Sequence, residues 1–333
     1  MNYQSVGVIG AGAWGTALAI AACRAERNAL IWAYERETVD EINNQHTNTV
    51  FLPGVNLDQK IRATSDLAEI AACDLLLMVV PSPHVRRIAE QLAPHIHTKP
   101  LVICSKGFEE TSNKLMSDVV IETLPHILPA VMVGPSFAAE VAQGLPAALT
   151  LAVRDERLGQ GVAKALGSNS LRLYWTGDML GVQIGSAVKN VLAIASGIVV
   201  GRRLGANAQA ALITRGFAEM MRFGVAMGAR EETLSGLSGF GDLILTCYSQ
   251  QSRNMSLGVA LGEGKTLAEI LGSRRSVSEG THAAAAVVAR ARALGVEMPI
   301  CDAVRAVLAD EADIDEAIAG LLSRPQRSET DWR

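Results

Sequence analysis

The stretch "GSAVKNVLAIASGIVVG", residues 185–201, is small and apolar except for Lys189 and Asn190 near its start. An ammonium group is costly to bury there, so its pKa falls toward neutrality unless a carboxylate restores the charged form. A lysine near neutrality gives and takes a proton, as a general acid/base must. The plainer alternative is a lysine whose stem packs along the helix while its head reaches solvent. Asp242, between the Gly-rich "GLSGFG" and an apolar run, either caps a helix or accepts a hydrogen bond from Lys189, and the two roles are compatible. Ser252, Arg253 and Asn254 set a hydroxyl, a guanidinium fork and an amide side by side, the donors that a phosphate or carboxylate calls for.

A second group of residues lies near the N-terminus. In "VGVIGAGAWGTALA", Gly10, Gly12 and Gly15 give G-x-G-x-x-G directly after a strand-like run and directly before a helical one. In that context the first glycine permits a tight turn, the second lets backbone approach a pyrophosphate, and the third lets helix and strand pack closely. The helix N-terminus adds unpaired N–H groups and a positive dipole end, so the turn reads as a dinucleotide site. Glu35 follows Gly15 at the end of the second strand, with Arg36 beside it. The carboxylate suits the ribose 2′-OH of NAD and the guanidinium suits the 2′-phosphate of NADP, so either cofactor is admissible. Tyr34 is placed to cover the adenine side.

Three other strand ends carry unusual residues: "VVPSPH", "VICSKGFE" and "VMVGPSFAAE". Lys106 follows an apolar strand, which sets an ammonium group where open α/β sheets bind ligands. Gly134, Pro135 and Ser136 turn into a helix and offer an anion-binding nest. His84 is a candidate proton donor, although it reads more simply as a capping or surface histidine.

The elements that must position these groups divide the chain in two. From residue 5 to about 176, seven short apolar runs alternate with helical stretches, which predicts parallel βαβ units in a doubly wound, Rossmann-type α/β domain over 1–180. Beyond residue 180 the strand signals stop, and Ala, Leu, Glu and Arg at helical spacing predict an all-α domain over 181–333. A chain of 333 residues fits two domains.

Composition narrows the function classes. A net charge of -4 with 4% aromatic residues lacks the basic footprint and stacking platforms of a nucleic-acid binder. The five cysteines contain no C-x-x-C pair, so neither a disulfide framework nor a zinc site is indicated, and a reducing, cytoplasmic setting fits. His95 and His97 form the one close histidine pair but have no Cys or carboxylate neighbours, so no metal is expected. The apolar runs 6–22 and 182–200 read as core elements: the first lacks preceding basic residues, and the second carries Lys189 at its centre. No integral membrane segment is expected.

Taken in order along the chain, "GVIGAGAWGTALA", "SKGFE", "VGPSFAAEVAQGLPAA", "GVQIGSAVKNVLAIASGI", "NAQAALITRGFAEM", "GLSGFGDLILTC", "QSRN", "VSEG" and "GVEMPI" resemble the bacterial NAD(P)-dependent glycerol-3-phosphate dehydrogenases over essentially the whole length. The resemblance implies reversible hydride transfer between dihydroxyacetone phosphate and sn-glycerol 3-phosphate, feeding phospholipid synthesis in the cytoplasm, with NAD or NADP as cofactor. It implies Lys189 as general acid/base and a substrate pocket of Lys106, Gly134, Ser136, Lys189, Asp242, Ser252, Arg253 and Asn254. It also implies cofactor contacts at Ala13, Trp14, Tyr34, Lys106, Ala138, Arg253, Val277 and Glu279, beside the glycines of the turn. Two positions depart from relatives, which often have Ser where Ala13 stands and His or Arg where Tyr34 stands. The small phosphorylated substrate is the expected partner, and a homodimer is compatible with the reading. Two alternatives remain: a β-hydroxyacid dehydrogenase of the same two-domain plan, with Arg253 holding a carboxylate, and a non-catalytic NAD(H)-binding protein.

Overall fold

A computed structural model describes residues 3–272, 279–326 and 328 of the chain. The chain forms two units, residues 1–179 and residues 180–333.

The first unit runs β1 (Ser5–Ile9), α1 (Ala13–Arg24), β2 (Asn28–Trp32), α2 (Arg36–Gln45), β3 (Arg62–Thr64), α3 (Leu67–Ala71), β4 (Leu75–Met78), α4 (Val85–Leu92), β5 (Pro100–Ile103), α5 (Met116–Thr123), β6 (Leu128–Val133), α6 (Ala138–Gln143), β7 (Ala147–Val153), α7 (Glu156–Leu166) and β8 (Leu171–Thr176). One eight-stranded sheet has the order β3-β2-β1-β4-β5-β6-β7-β8. Every residue of β4 and β5 is buried, as apolar strands covered on both faces must be. One set of helices (α1, α6, α7) packs together, and so does a second (α3, α4, α5), giving the doubly wound layering expected from the sequence.

Two features of the sheet differ from the sequence expectation. The three-residue β3 extends the edge beyond β2, in register Ile31 to Ala63, and is too short to announce itself by pattern. The other concerns direction: β7 is antiparallel to β6, and β8 runs parallel to β7, so not every unit is a parallel βαβ crossover. The reason lies in α6. Its six residues rise only about 9 Å, whereas a strand the length of β6 spans roughly 20 Å. The chain therefore re-enters the sheet from the end at which β6 left it. Arg24, at the end of α1, donates to the carbonyls of Val141 (2.6 Å) and Ala142 and so holds the C-terminus of α6 in that place.

In the second unit every described element is helical: α8 (Met179–Gly201), α9 (Ala206–Met227), α10 (Glu231–Leu234), a π-type turn (Leu237–Gly241), α11 (Asp242–Tyr248), α12 (Arg253–Gly262), α13 (Leu267–Gly272), α14 (Glu279–Ala293), α15 (Pro299–Leu308) and α16 (Ile314–Leu322). The 23-residue α8 is long and apolar enough to cross a membrane by length and composition, but it is buried on all sides from Gly181 to Val199, as a helix without a polar face must be in a core.

Small residues fix the neighbour of α8. A Cβ on Gly197 would stand 2.2 Å from the Met255 carbonyl, and one on Gly258 would stand 2.1 Å from that of Ile194. Gly201 and Gly262 repeat the contact one turn later. Helices α8 and α12 therefore run in the same direction, backbone against backbone. This sets the start of α12, with Ser252, Arg253 and Asn254, near the middle of α8.

Candidate active site

At the β1–α1 turn, Gly10 has φ +120°, a conformation that side chains avoid, and its N–H donates to the Trp32 carbonyl at 3.0 Å. A Cβ on Gly15 would lie 1.9 Å from the Gly10 carbonyl oxygen, so only glycine lets α1 start this close to β1. A Cβ on Gly12 would meet nothing within 4 Å, so this backbone faces open space. A pyrophosphate fits there against the unpaired N–H groups of the first turn of α1, which Ala13 and Trp14 open. Asn48, buried in the loop after α2, braces the turn by donating to the Ala11 carbonyl and to Thr16 Oγ1, both at 2.8 Å. The sequence motif gave no hint of Asn48, because it lies 37 residues from its partner.

Beyond the carboxyl end of β2, a cavity of about 380 Å³ is lined by Trp32, Ala33, Tyr34, Ser65, Leu67, Arg87, Gln91 and His95. The guanidinium of Arg87 lies 5.7 Å from the centre of the Tyr34 ring. Glu35 and Arg36 are exposed at the start of α2 and do not line this cavity.

Lys106 is half-buried in the loop after β5. That loop is tied at two points. Ser105 Oγ donates to the Val80 carbonyl at 2.5 Å. Glu109 receives both arms of Arg86, at 2.7 and 2.9 Å, together with the Ser112 hydroxyl. The Arg86 guanidinium and this hydroxyl hold the Glu109 carboxyl below its usual range against the opposing effect of burial. Gly134 sits where a Cβ would come within 2.9 Å of Leu149 Cα, which lets β6 pass close to β7. Ser136 Oγ donates to the Gly134 carbonyl at 3.2 Å, and Ala138 opens α6. His84 is exposed at the turn into α4 and makes no side-chain cap, in keeping with a surface histidine.

In the second unit, Lys189 is 3% exposed and does not reach solvent. Its Nζ donates to Asp242 Oδ2 and, at 3.2 Å, to Thr246 Oγ1. Thr246 Oγ1 in turn donates to the Asp242 carbonyl at 2.6 Å. A lysine placed in the middle of an apolar helix is thus charge-compensated; Asp242 is the first residue of α11 but its side chain makes no cap there, so of the two roles expected it is the pairing with Lys189 that the structure shows. The close approach of Gly185 to Gly239 and to the Ser238 carbonyl seats the π-type turn that delivers Asp242. Thr246, one turn beyond Asp242 on the same helix face, was not singled out in the sequence; the four-residue spacing was the available signal.

Ser252 caps α12, its oxygen accepting from Met255 N–H at 3.2 Å and its own hydrogen remaining to donate. Arg253 is exposed at the first position of that helix, and Asn254 is buried at the second. Asn254 Oδ1 accepts from Gly280 N–H at 3.1 Å, which ties the start of α14 to α12 and leaves its amide N–H groups as donors. Ser186 Oγ and Asn190 Nδ2, one turn apart on α8, are buried without a hydrogen-bond partner. Val277 lies outside the described residues, and Glu279 enters only as the first residue of α14.

The geometry therefore holds a glycine turn of the dinucleotide-binding kind in one unit and, in the other, a buried lysine paired with Asp242 and a helix start, at α12, that carries several donors. Known proteins resemble the chain along both units. The family described as the NAD-dependent glycerol-3-phosphate dehydrogenase N-terminus matches residues 5–159, and the corresponding C-terminus family matches residues 178–319. The glycerol-3-phosphate dehydrogenase [NAD(P)+] of Parvibaculum lavamentivorans is 56% identical over 331 residues, covering 99% of each chain. That of Caulobacter vibrioides is 56% identical over 99% of this chain and 100% of its own. The crystal structure of glycerol-3-phosphate dehydrogenase from Coxiella burnetii superposes with a TM-score of 0.92 at 37% identity, covering 97% of this chain and 99% of the other. With both halves matched, and with relatives this similar along their whole length, the chain belongs to the NAD(P)-dependent glycerol-3-phosphate dehydrogenase family.

Proposed function

We propose that the chain interconverts dihydroxyacetone phosphate and sn-glycerol 3-phosphate, with Lys189 as the proton carrier. The observation that carries this reading is the buried Lys189–Asp242–Thr246 arrangement beside the donor-rich start of α12. A bound nicotinamide supplies or receives the hydride. Lys189 gives its proton to the substrate's carbonyl oxygen in reduction and takes one from the hydroxyl in oxidation. Asp242 balances the ammonium charge and, with Thr246, aims Nζ, so that the group is oriented before substrate arrives.

The phosphate end of the substrate suits Arg253, Ser252 Oγ and the Asn254 amide, where the α12 dipole adds to the attraction. In the first unit, Lys106, Gly134 and Ser136 are our remaining substrate candidates. Gly10, Gly12, Ala13, Trp14 and Gly15 take the pyrophosphate in this reading, with Tyr34 at the adenosine end and Ala138 as a further contact. Lys106, Arg253, Val277 and Glu279 are the further cofactor candidates. A cytoplasmic role in supplying glycerol 3-phosphate for phospholipid synthesis is in keeping with five unpaired cysteines, four of them buried.

The test is an initial-rate assay of NADH and NADPH oxidation with dihydroxyacetone phosphate, run beside a panel of short keto acids. Turnover with the phosphorylated ketone is expected to exceed that with any keto acid. Preferential turnover of a keto acid, or no turnover at all, overturns the reading.

A further inference from the structure

The dinucleotide reading of the β1–α1 turn leaves open how the chain receives the 2′ position of the adenosine ribose, and the residues at the end of β2 bear on this. Sequence spacing points to Glu35 and Arg36, but neither is among the residues that line the cavity beyond β2, whereas Arg87, exposed like them, is. That cavity draws its walls from three places: Tyr34 after β2, Ser65 after β3, and Arg87, Gln91 and His95 from α4 and the turn after it. Its floor is held, since Trp32 Nε1 donates to the Ser65 carbonyl at 3.1 Å.

Among the described residues that line it there is no carboxylate, so the repulsion that Glu35 would exert on a phosphate has no counterpart there. Arg87 lies over the Tyr34 ring at 5.7 Å. The guanidinium carries its charge at every working pH, and its planar fork of N–H donors matches the geometry of a phosphate.

We propose that Arg87, beside the Tyr34 ring in this cavity, receives the 2′-phosphate of NADP(H) and sets how well the chain uses NADP(H) relative to NAD(H). Ser65 and Gln91 supply neutral donors around it, and Arg36 has no part in the selection. This rests on the dinucleotide reading above, and the experiment separates the two.

Dissociation constants for NADPH and NADH are measured by nucleotide fluorescence for the wild type, Arg87→Ala, Arg87→Lys and Arg36→Ala. Competition by 2′,5′-ADP and by 5′-AMP isolates the phosphate without the nicotinamide. Loss of a charge-assisted contact is expected to weaken NADPH and 2′,5′-ADP roughly tenfold or more in Arg87→Ala. NADH and 5′-AMP stay within about twofold, because neither carries the group that Arg87 meets. Arg87→Lys falls between the wild type and Arg87→Ala, and Arg36→Ala leaves the ratio unchanged.

Equal losses for both nucleotides in Arg87→Ala would mean that Arg87 only supports Tyr34, and no loss would mean that it faces solvent; each overturns the proposal. So does a selective loss in Arg36→Ala, or a wild type that binds NADH but not NADPH. A wild type that binds neither nucleotide overturns the dinucleotide reading itself, and the proposal with it.

Discussion

Lys189 and Asp242 have side chains 4% and 2% exposed and lie 53 residues apart in the chain. Truncating one member of such a pair strands the other charge, and the expected cost is ~3–5 kcal/mol. Lys189→Met should therefore lose stability as well as activity, which would confuse a simple reading of its rate. The double variant Lys189→Met with Asp242→Asn removes both charges together. Its urea midpoint is expected to recover most of the loss while kcat stays ~10²-fold or more below the wild type, with NADH affinity little changed. Recovery of turnover along with stability would return Lys189 to a structural role.

At the scale of elements, glycines and a buried carboxylate decide how helices meet. Helix propensity alone predicts that Gly258→Ala gains ~1 kcal/mol. The Ile194 carbonyl, 2.1 Å from where the new methyl would stand, predicts the opposite sign. We expect a loss of ~1–3 kcal/mol or more in denaturant unfolding. A rise in KM for dihydroxyacetone phosphate should accompany it, since α12 carries Ser252, Arg253 and Asn254 at its displaced end.

Glu219 on α9 accepts from the N–H groups of Ile300 (2.7 Å) and Cys301 (3.2 Å) and so caps α15 from a distance. Burial, the largest influence, pushes its carboxyl up from 4.5 to about 7 against the pull of those two donors. The folded chain then keeps a proton that the unfolded chain has already lost. Stability from this group is full below the unfolded value and declines as pH rises through the folded one, by roughly 3 kcal/mol in all. Glu219→Gln should flatten the fall in stability between about pH 5 and pH 7. An unchanged slope in urea titrations at several pH values would mean that Glu219 does not carry it.

For the molecule as a whole, a ligand that binds only the folded chain raises its stability by mass action. NADH at 100 times its dissociation constant is expected to add ~2.7 kcal/mol. The thermal unfolding transition should then move up by a few degrees, and further with each increase in NADH. A transition insensitive to NADH and NADPH alike would contradict the dinucleotide site. The apolar α8 belongs to this scale too, since its hydropathy would suit a bilayer. In the fold, 89% of its apolar window is buried instead.

Much of this was legible from residues close together in the chain. Period-two and continuous apolar runs mark strands, 3.6-residue spacing marks helices, and Gly10, Gly12 and Gly15 mark a turn, because each depends on local backbone geometry. The change from alternating elements to helices alone was visible for the same reason, and so was the presence of an ammonium group in an apolar helix at Lys189. The antiparallel entry of β7 was not visible, since it follows from the short span of α6 and from the grip of Arg24 on its far end, more than 100 residues away. Nor were Asn48 behind the glycine turn, Arg86 on Glu109, or Arg87 over Tyr34. Asp242 was already a candidate partner for Lys189 in the sequence, and tertiary structure decided that the two meet; it also decided which arginine lines the cavity at the end of β2. Such pairings are made by packing between distant segments, where the free energy depends on what the fold brings within a few ångströms and local sequence carries no record of it.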